Sequence, residues 1–195
     1  MPHVMDAAAR LAALGCCRLA PGLTDAEFAQ VEAAYGFTFA DDHRAFLAAA
    51  LPLDDDRGHG WPDWRDGDPA ELRRMLDWPV EGVLFDVEHN VMWDPAWGPR
   101  PHTVHERLAV AAKHLSDVPQ LVPVYAHRYL PAGRGASGHP VLSVYQTDII
   151  YYGVDLSDYI HQEFGGPGLD RSDPAWNPVA TVPFWRDFLQ PPFGR

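Results

Sequence analysis

An α+β fold follows from two features of this 195-residue chain: one antiparallel sheet packed against several helices, in a single domain spanning residues 1–195. Helix-start signals crowd the first 120 residues, while β-branched and aromatic alternation is concentrated after them. The two kinds of element do not alternate, which argues against a doubly wound parallel sheet. The length supports one sizeable core and is short for two.

Residues 4–14 read as a short helix closed by Gly15. The next start is better marked. Thr24 and Glu27 have capping-box spacing, and Leu23 and Phe28 occupy the staple positions around it. Phe28, Val31 and Tyr35 keep helical spacing until Gly36 supplies a left-handed stop. Asp41 opens a further helix with Phe46, Leu47 and Leu51 on its apolar face, and Pro52 ends it. Together these N-terminal helices occupy about residues 4–52. An acidic loop, rich in turn formers, spans residues 53–68. Asp68, with Pro69 at the first helical position and Glu71 completing a box, begins a helix carrying Leu72, Met75 and Leu76. That helix is predicted to stop near Trp78 and Pro79. Residues 80–93 fit helix and strand spacing alike, with helix the preferred reading.

Residues 94–101 form a rigid loop. Thr103 and Glu106 make a third box, opening a helix to about residue 115 with Leu108, Ala111, Ala112 and Leu115 as its buried stripe. The C-terminal sheet and helix occupy about residues 120–166. Residues 121–130 alternate at Val122, Val124 and Ala126, and residues 139–153 hold two strands around a turn at 146–148. Asp155 caps a helix closed by Gly165 and Gly166. The tail, residues 167–195, is loop with a last short helix near 183–189 carrying Trp185, Phe188 and Leu189.

The segment LTDAEFAQVEAAYGFTFADDHRAFLAAALP, residues 23–52, sets Glu32, Gly36, Phe39, Asp42-His43 and Phe46-Leu47 behind its capping box. In that order of helix, glycine stop and helix it resembles the opening of the SMI1/KNR4 superfamily, also called SUKH. GHPVLSVYQTDIIYYGVDLSDYIHQEFGG, residues 138–166, resembles the later strand pair and helix of actinobacterial members. The likeness covers about residues 22–52 and 120–166. Residues 54–68 depart from it, standing where the family has an Asn-Gly turn after its third helix. The resemblance implies an antiparallel sheet packed against helices. It also implies a protein-binding role, because the family is known mainly for immunity proteins that bind and neutralise toxins. Many members are not enzymes.

The formal charge of -12 opposes contact with a nucleic-acid backbone, which needs a basic face. Its field recruits basic proteins. Charge is also concentrated: residues 41–90 hold thirteen acids against five bases. Fourteen arginines against the single Lys113, with abundant alanine, reflect a GC-rich coding sequence rather than a function. Cys16 and Cys17 are adjacent, which makes a poor staple and predicts a reducing compartment without a disulfide framework. No segment reaches the apolar length of a membrane span, and the N-terminal stretch carries Asp6 and Arg10 where a signal peptide would be apolar. A cytoplasmic protein is the expectation.

Five of the seven tryptophans fall within residues 61–97. Trp78 and Trp93 are assigned to the core. Trp61 and Trp64, flanked by Asp, Arg and Pro, are candidates for exposed rings of the kind that anchor interfaces. With Asp54, Asp55, Asp56, Asp63, Asp66 and Asp68 they form the predicted protein-binding site, suited to a basic toxin such as a nuclease effector. Tryptophans interrupt the acidic series and no glutamate closes it, so it does not fit an EF-hand. No metal or cofactor is predicted.

Catalytic signatures are sparse. There is no G-x-S-x-G elbow, no phosphate loop in GRGASG, and no zinc spacing in His102 and His105. The alternative reading is a metal-assisted hydrolase using His89, His102, His105, Asp86 and Glu88. His139 and Asp148 flank the predicted hairpin and are candidates for a structural hydrogen bond across it.

Overall fold

A computed structural model of the chain describes residues 2–54, 60–165, 172 and 176–189, with residues 2–6 described by backbone alone. Among them lie six α-helices and two antiparallel sheets, of two and four strands, so the α+β class is as predicted. No helix among the described residues is long and apolar enough to cross a membrane.

The chain starts with α1 (Pro2–Leu14), ended by Gly15 at φ 56, and β1 (Arg18–Pro21). Helix α2 (Asp25–Tyr35) forms where its box predicts it. The Glu27 N–H donates to the Thr24 hydroxyl at 3.3 Å, and the Thr24 N–H donates back to the Glu27 carboxylate at 2.7 Å. Gly36, at φ 77, turns the chain into α3 (Asp41–Ala49).

Here the first departure occurs. α3 ends three residues before Pro52, which lies instead in strand β2 (Ala50–Leu53) opposite Leu19 of β1. The steric bias of the residue before a proline is towards extended backbone, so Leu51 is drawn out of the helix. In this two-stranded ribbon Leu51 and Leu53 still reach the core.

A larger departure follows. Asp68 caps the next helix by accepting the Ala70 N–H at 2.8 Å, but that helix runs through Pro79 without stopping. It is one 21-residue helix, α4 (Pro69–His89), covering both predicted segments. Glu71 completes no box and binds Arg74 one turn on. After a 3-10 turn (Pro95–Trp97), the Thr103–Glu106 box starts α5 (Val104–Leu115). Its buried stripe is Ala111 and Leu115, with Leu108 half-buried; Ala112 faces solvent.

Residues 121–130 are not one strand. A turn at Ala126 and His127, with Ala126 at φ 47, divides them into β3 (Leu121–Tyr125) and β4 (Arg128–Pro131). These continue as a meander through β5 (Val141–Tyr145) and β6 (Asp148–Gly153), in the order β3-β4-β5-β6. Helix α6 (Leu156–Phe164) begins at the Asp155 cap and ends at Gly165. A 3-10 turn (Trp185–Phe188) follows in the tail.

Both faces of the larger sheet are buried, which is why β3 and β4 lack a clean polar alternation. On one face Val122, Val124, Leu130 and Val141 join Phe28, Phe39, Phe46 and Tyr159. On the other, Leu121, Tyr129, Leu142 and Val144 join Val83 and Val87 of α4, Leu115 of α5 and Trp185.

Candidate functional site

The predicted acidic site divides when built residue by residue. Asp54 accepts the N–H groups of Gly60 at 2.8 Å and Trp61 at 2.9 Å, closing the start of the loop. The Gly60 carbonyl in turn accepts the Ala126 N–H at 2.7 Å, tying the loop to the β3–β4 turn. Farther on, one carboxylate oxygen of Asp63 accepts the Arg65 and Asp66 N–H groups, each at 3.1 Å, and the Asp63 carbonyl accepts the Gly67 N–H. This is an Asx-type turn, the local bonding for which aspartate is favoured in loops. Gly67 is required in it, because a Cβ there would lie 2.4 Å from the Asp63 carbonyl oxygen. Asp68 then caps α4. Asp55 and Asp56 lie outside the described residues.

Trp61 and Trp64 are not exposed, in contrast to the interface rings predicted for them. They are only 6% and 3% accessible. Trp61 stacks on Phe164 at 5.2 Å, and Trp64 meets Phe39 edge-on at 5.3 Å. Local and long-range contacts both act: backbone N–H groups of the loop bond to the Asp54 and Asp63 carboxylates, and the neighbouring rings find their partners in Phe164 and Phe39 of the core. Trp78 and Trp93, assigned to the core, are each half-buried.

The loop is fixed from outside by Arg65. Its guanidinium donates to both oxygens of Glu27 and to the carbonyls of Pro21 and Gly22. This contact and the Thr24 cap hold the Glu27 carboxyl down to about 2, the Arg65 hydrogen bond contributing most.

Between residues 60–68, the first half of α4 and the β3–β4 turn lies a cleft of about 450 Å³. Trp61, Leu72, Met75, Trp78 and Tyr129 supply its apolar and aromatic lining. Among the described residues its polar lining has four carboxylates, Asp54, Asp63, Asp68 and Glu71, against the single guanidinium of Arg74, with His127 at the turn. Glu71 and Arg74 pair with each other, which lowers the one and raises the other from its ordinary value. Burial, assisted by the neighbouring Arg128, lowers His127, favouring its neutral form. Desolvation raises Tyr129 well above the usual phenol range, and its hydroxyl stays a donor.

Asp54, Asp63 and Asp68 of the predicted site thus meet at one cleft, and Asp66 is exposed beside it. Not predicted as site residues were Arg74, His127 and Tyr129, nor Met75 and Trp78, which the sequence reading placed on a helix face and in the core. Only the i,i+3 spacing of Glu71 and Arg74 signalled one of them. The others are brought together by tertiary packing.

The residues of the alternative reading serve other purposes. Asp86 is buried and accepts from the Thr147 N–H at 2.9 Å, the Thr147 hydroxyl and the Asn90 amide. Glu88 and His89 lie exposed at the end of α4, 3.5 Å apart, and His102 and His105 are exposed around the start of α5. Among the described residues no group of three or more His, Cys, Asp or Glu side chains is placed to hold a metal ion. His139 and Asp148 do not approach each other. Asp148 pairs with Tyr145 at the turn, whereas His139 precedes Val141 at the far end of that hairpin.

The fold and cleft define an α+β protein with an acidic, partly aromatic recess. Comparisons with protein-family profiles, with curated proteins and with solved structures gave no match.

Proposed function

We propose that this protein is a non-enzymatic binding module of the SMI1/KNR4 kind, acting in the cytoplasm on a basic protein partner. In its most concrete form it is an immunity protein that neutralises a toxin by covering it. The observation that carries this reading is the preorganised acidic surface formed by Asp54 and residues 63–68. Asp54, Asp63 and Asp68 are held by backbone N–H groups, so little side-chain entropy remains to be lost on binding. The formal charge of -12 supplies long-range attraction for a basic partner. Relative to the sequence expectation, the contact surface loses the Trp61 and Trp64 rings and keeps Asp54, Asp63, Asp66 and Asp68.

The test is capture from source lysate on the immobilised chain, washed at low and at high salt, with mass spectrometry of what is retained. A single basic protein held at low salt and released at high salt supports the reading. Its retention must fall when Asp63, Asp66 and Asp68 are all changed to Asn. Equal retention by that variant rejects the acidic surface as the contact.

A further inference from the structure

The structure assigns the cleft between residues 60–68, α4 and the β3–β4 turn a particular occupant: the side chain of an arginine projecting from the partner protein. The inference rests on the binding-module reading and adds to it the chemistry of one recognised group.

Three observations converge. First, Asp63 and Asp68 each use only Oδ1 to accept backbone N–H groups, and Oδ2 of each accepts no hydrogen bond among the described residues. Two fixed carboxylates thus present unengaged oxygens at one recess. Second, among the described residues the cations beside them are committed elsewhere. Arg65 is spent on Glu27 and on the carbonyls of Pro21 and Gly22, and Arg74 is paired with Glu71. The described lining of the recess keeps a net negative charge and favours an incoming cation.

Third, its lining is not merely acidic. Met75 and the half-buried Trp78 form part of the wall, and the Trp78 Nε1–H is directed to the Val144 carbonyl at 3.4 Å. Its indole donor is therefore turned to the sheet, and the ring is left as apolar, π-rich surface. Carboxylate oxygens beside such a ring suit a planar guanidinium, which bonds at its edge and stacks on its face, better than a strongly hydrated ammonium. The aliphatic stem is matched by Leu72 and Met75. A volume of about 450 Å³ is ample for one such side chain.

The test is an NMR titration of the full chain with three acetylated and amidated pentapeptides, Gly-Gly-X-Gly-Gly, where X is arginine, lysine or citrulline. The arginine peptide is expected to give saturable shifts at the Trp78 indole and at amides of residues 63–68 and 127. The lysine peptide should bind more weakly, and uncharged citrulline should give no shift. Asp63→Asn with Asp68→Asn keeps the turn and the helix cap, since asparagine serves both. It should weaken the arginine peptide about tenfold or more by removing two charge-assisted hydrogen bonds. Equal shifts with citrulline, shifts elsewhere on the chain, or none with arginine would each overturn the proposal. No toxin or partner is needed, so such a failure leaves the lysate test of the wider reading standing. A positive titration without partner capture would reject the wider reading instead.

Discussion

The Tyr129 hydroxyl donates to the carbonyl oxygen of Met75 at 2.8 Å, across 54 residues of sequence. Met75 lies four residues before Pro79, so its carbonyl is the one in α4 that proline deprives of a donor. Next to it, the Gln120 side-chain amide donates to the Leu76 carbonyl at 2.9 Å. Tyr129, from outside α4, thus replaces the donor the helix lost, Gln120 braces the adjoining carbonyl, and the helix continues. Tyr129→Phe should therefore destabilise the fold by about 1–3 kcal/mol in urea unfolding, the cost of a buried acceptor without a partner. In a Pro79→Ala background the backbone N–H returns and the same change should cost less than about 1 kcal/mol. Equal costs in both backgrounds would sink this account of how the proline is tolerated.

His43 is fully buried near the start of α3, packed edge-on against Phe39 at 5.2 Å, and its Nδ1 has no partner among the described residues. Burial holds its ionisation down to about 3, against 6.5 for the free side chain. Between those values the unfolded chain takes up a proton that the native state refuses. Stability should therefore fall as pH drops from about 6.5 towards 3, by up to roughly 1.4 kcal/mol per pH unit from this group. His43→Phe keeps a ring at the site and removes the titration. Its unfolding free energy should vary less over that window than the parent's, and an unchanged slope would exclude His43 as its source.

Legibility divides along the range of the interactions. The boxes at Thr24–Glu27 and Thr103–Glu106 and the stops at Gly36 and Gly165 are local, and the chain states them plainly. What lay beyond reach was long-range. Pro79 reads as a helix end because its replacement donor sits on β4. The Ala126–His127 turn carries neither glycine nor asparagine, so nothing punctuates residues 121–130. At the cleft, the aspartates are visible as a run, but the orientation of Trp61 and Trp64 depends on Phe164 and Phe39, which are distant in sequence. Charge was readable and shape was not.

Glu27 joins two functions, closing the α2 capping box and holding Arg65. Its carboxyl lies at about 2, below the ordinary 4.5. A group lowered in this way adds stability above about 4.5, and that contribution is lost as pH falls towards 2. Arg65→Ala removes the largest cause. Carboxyl-detected NMR should then find Glu27 titrating closer to 4.5, with the Thr24 cap retaining part of the shift. The amides of residues 63–68 should exchange faster in this variant, since their outer anchor is gone. A Glu27 titration unchanged in Arg65→Ala would refute the pairing.

Asp86 distinguishes architecture from chemistry at the other end of α4. Its carboxylate meets the Thr147 N–H and hydroxyl and the Asn90 amide, joining α4 to the β5–β6 turn where Gln146 stands at φ 56. Gly82, one helical turn earlier, permits that approach, since a Cβ there would lie 2.8 Å from the Gln146 Cα. Asp86→Ala leaves buried donors without an acceptor and should cost about 2–4 kcal/mol. Gly82→Ala should also destabilise, by about 1–3 kcal/mol, although alanine is the better helix former by about 1 kcal/mol. The sign is the useful part. A stabilised Gly82→Ala variant would mean that α4 and the turn stand farther apart, and a well-folded Asp86→Ala would release that carboxylate from its structural role and return it to the hydrolase reading.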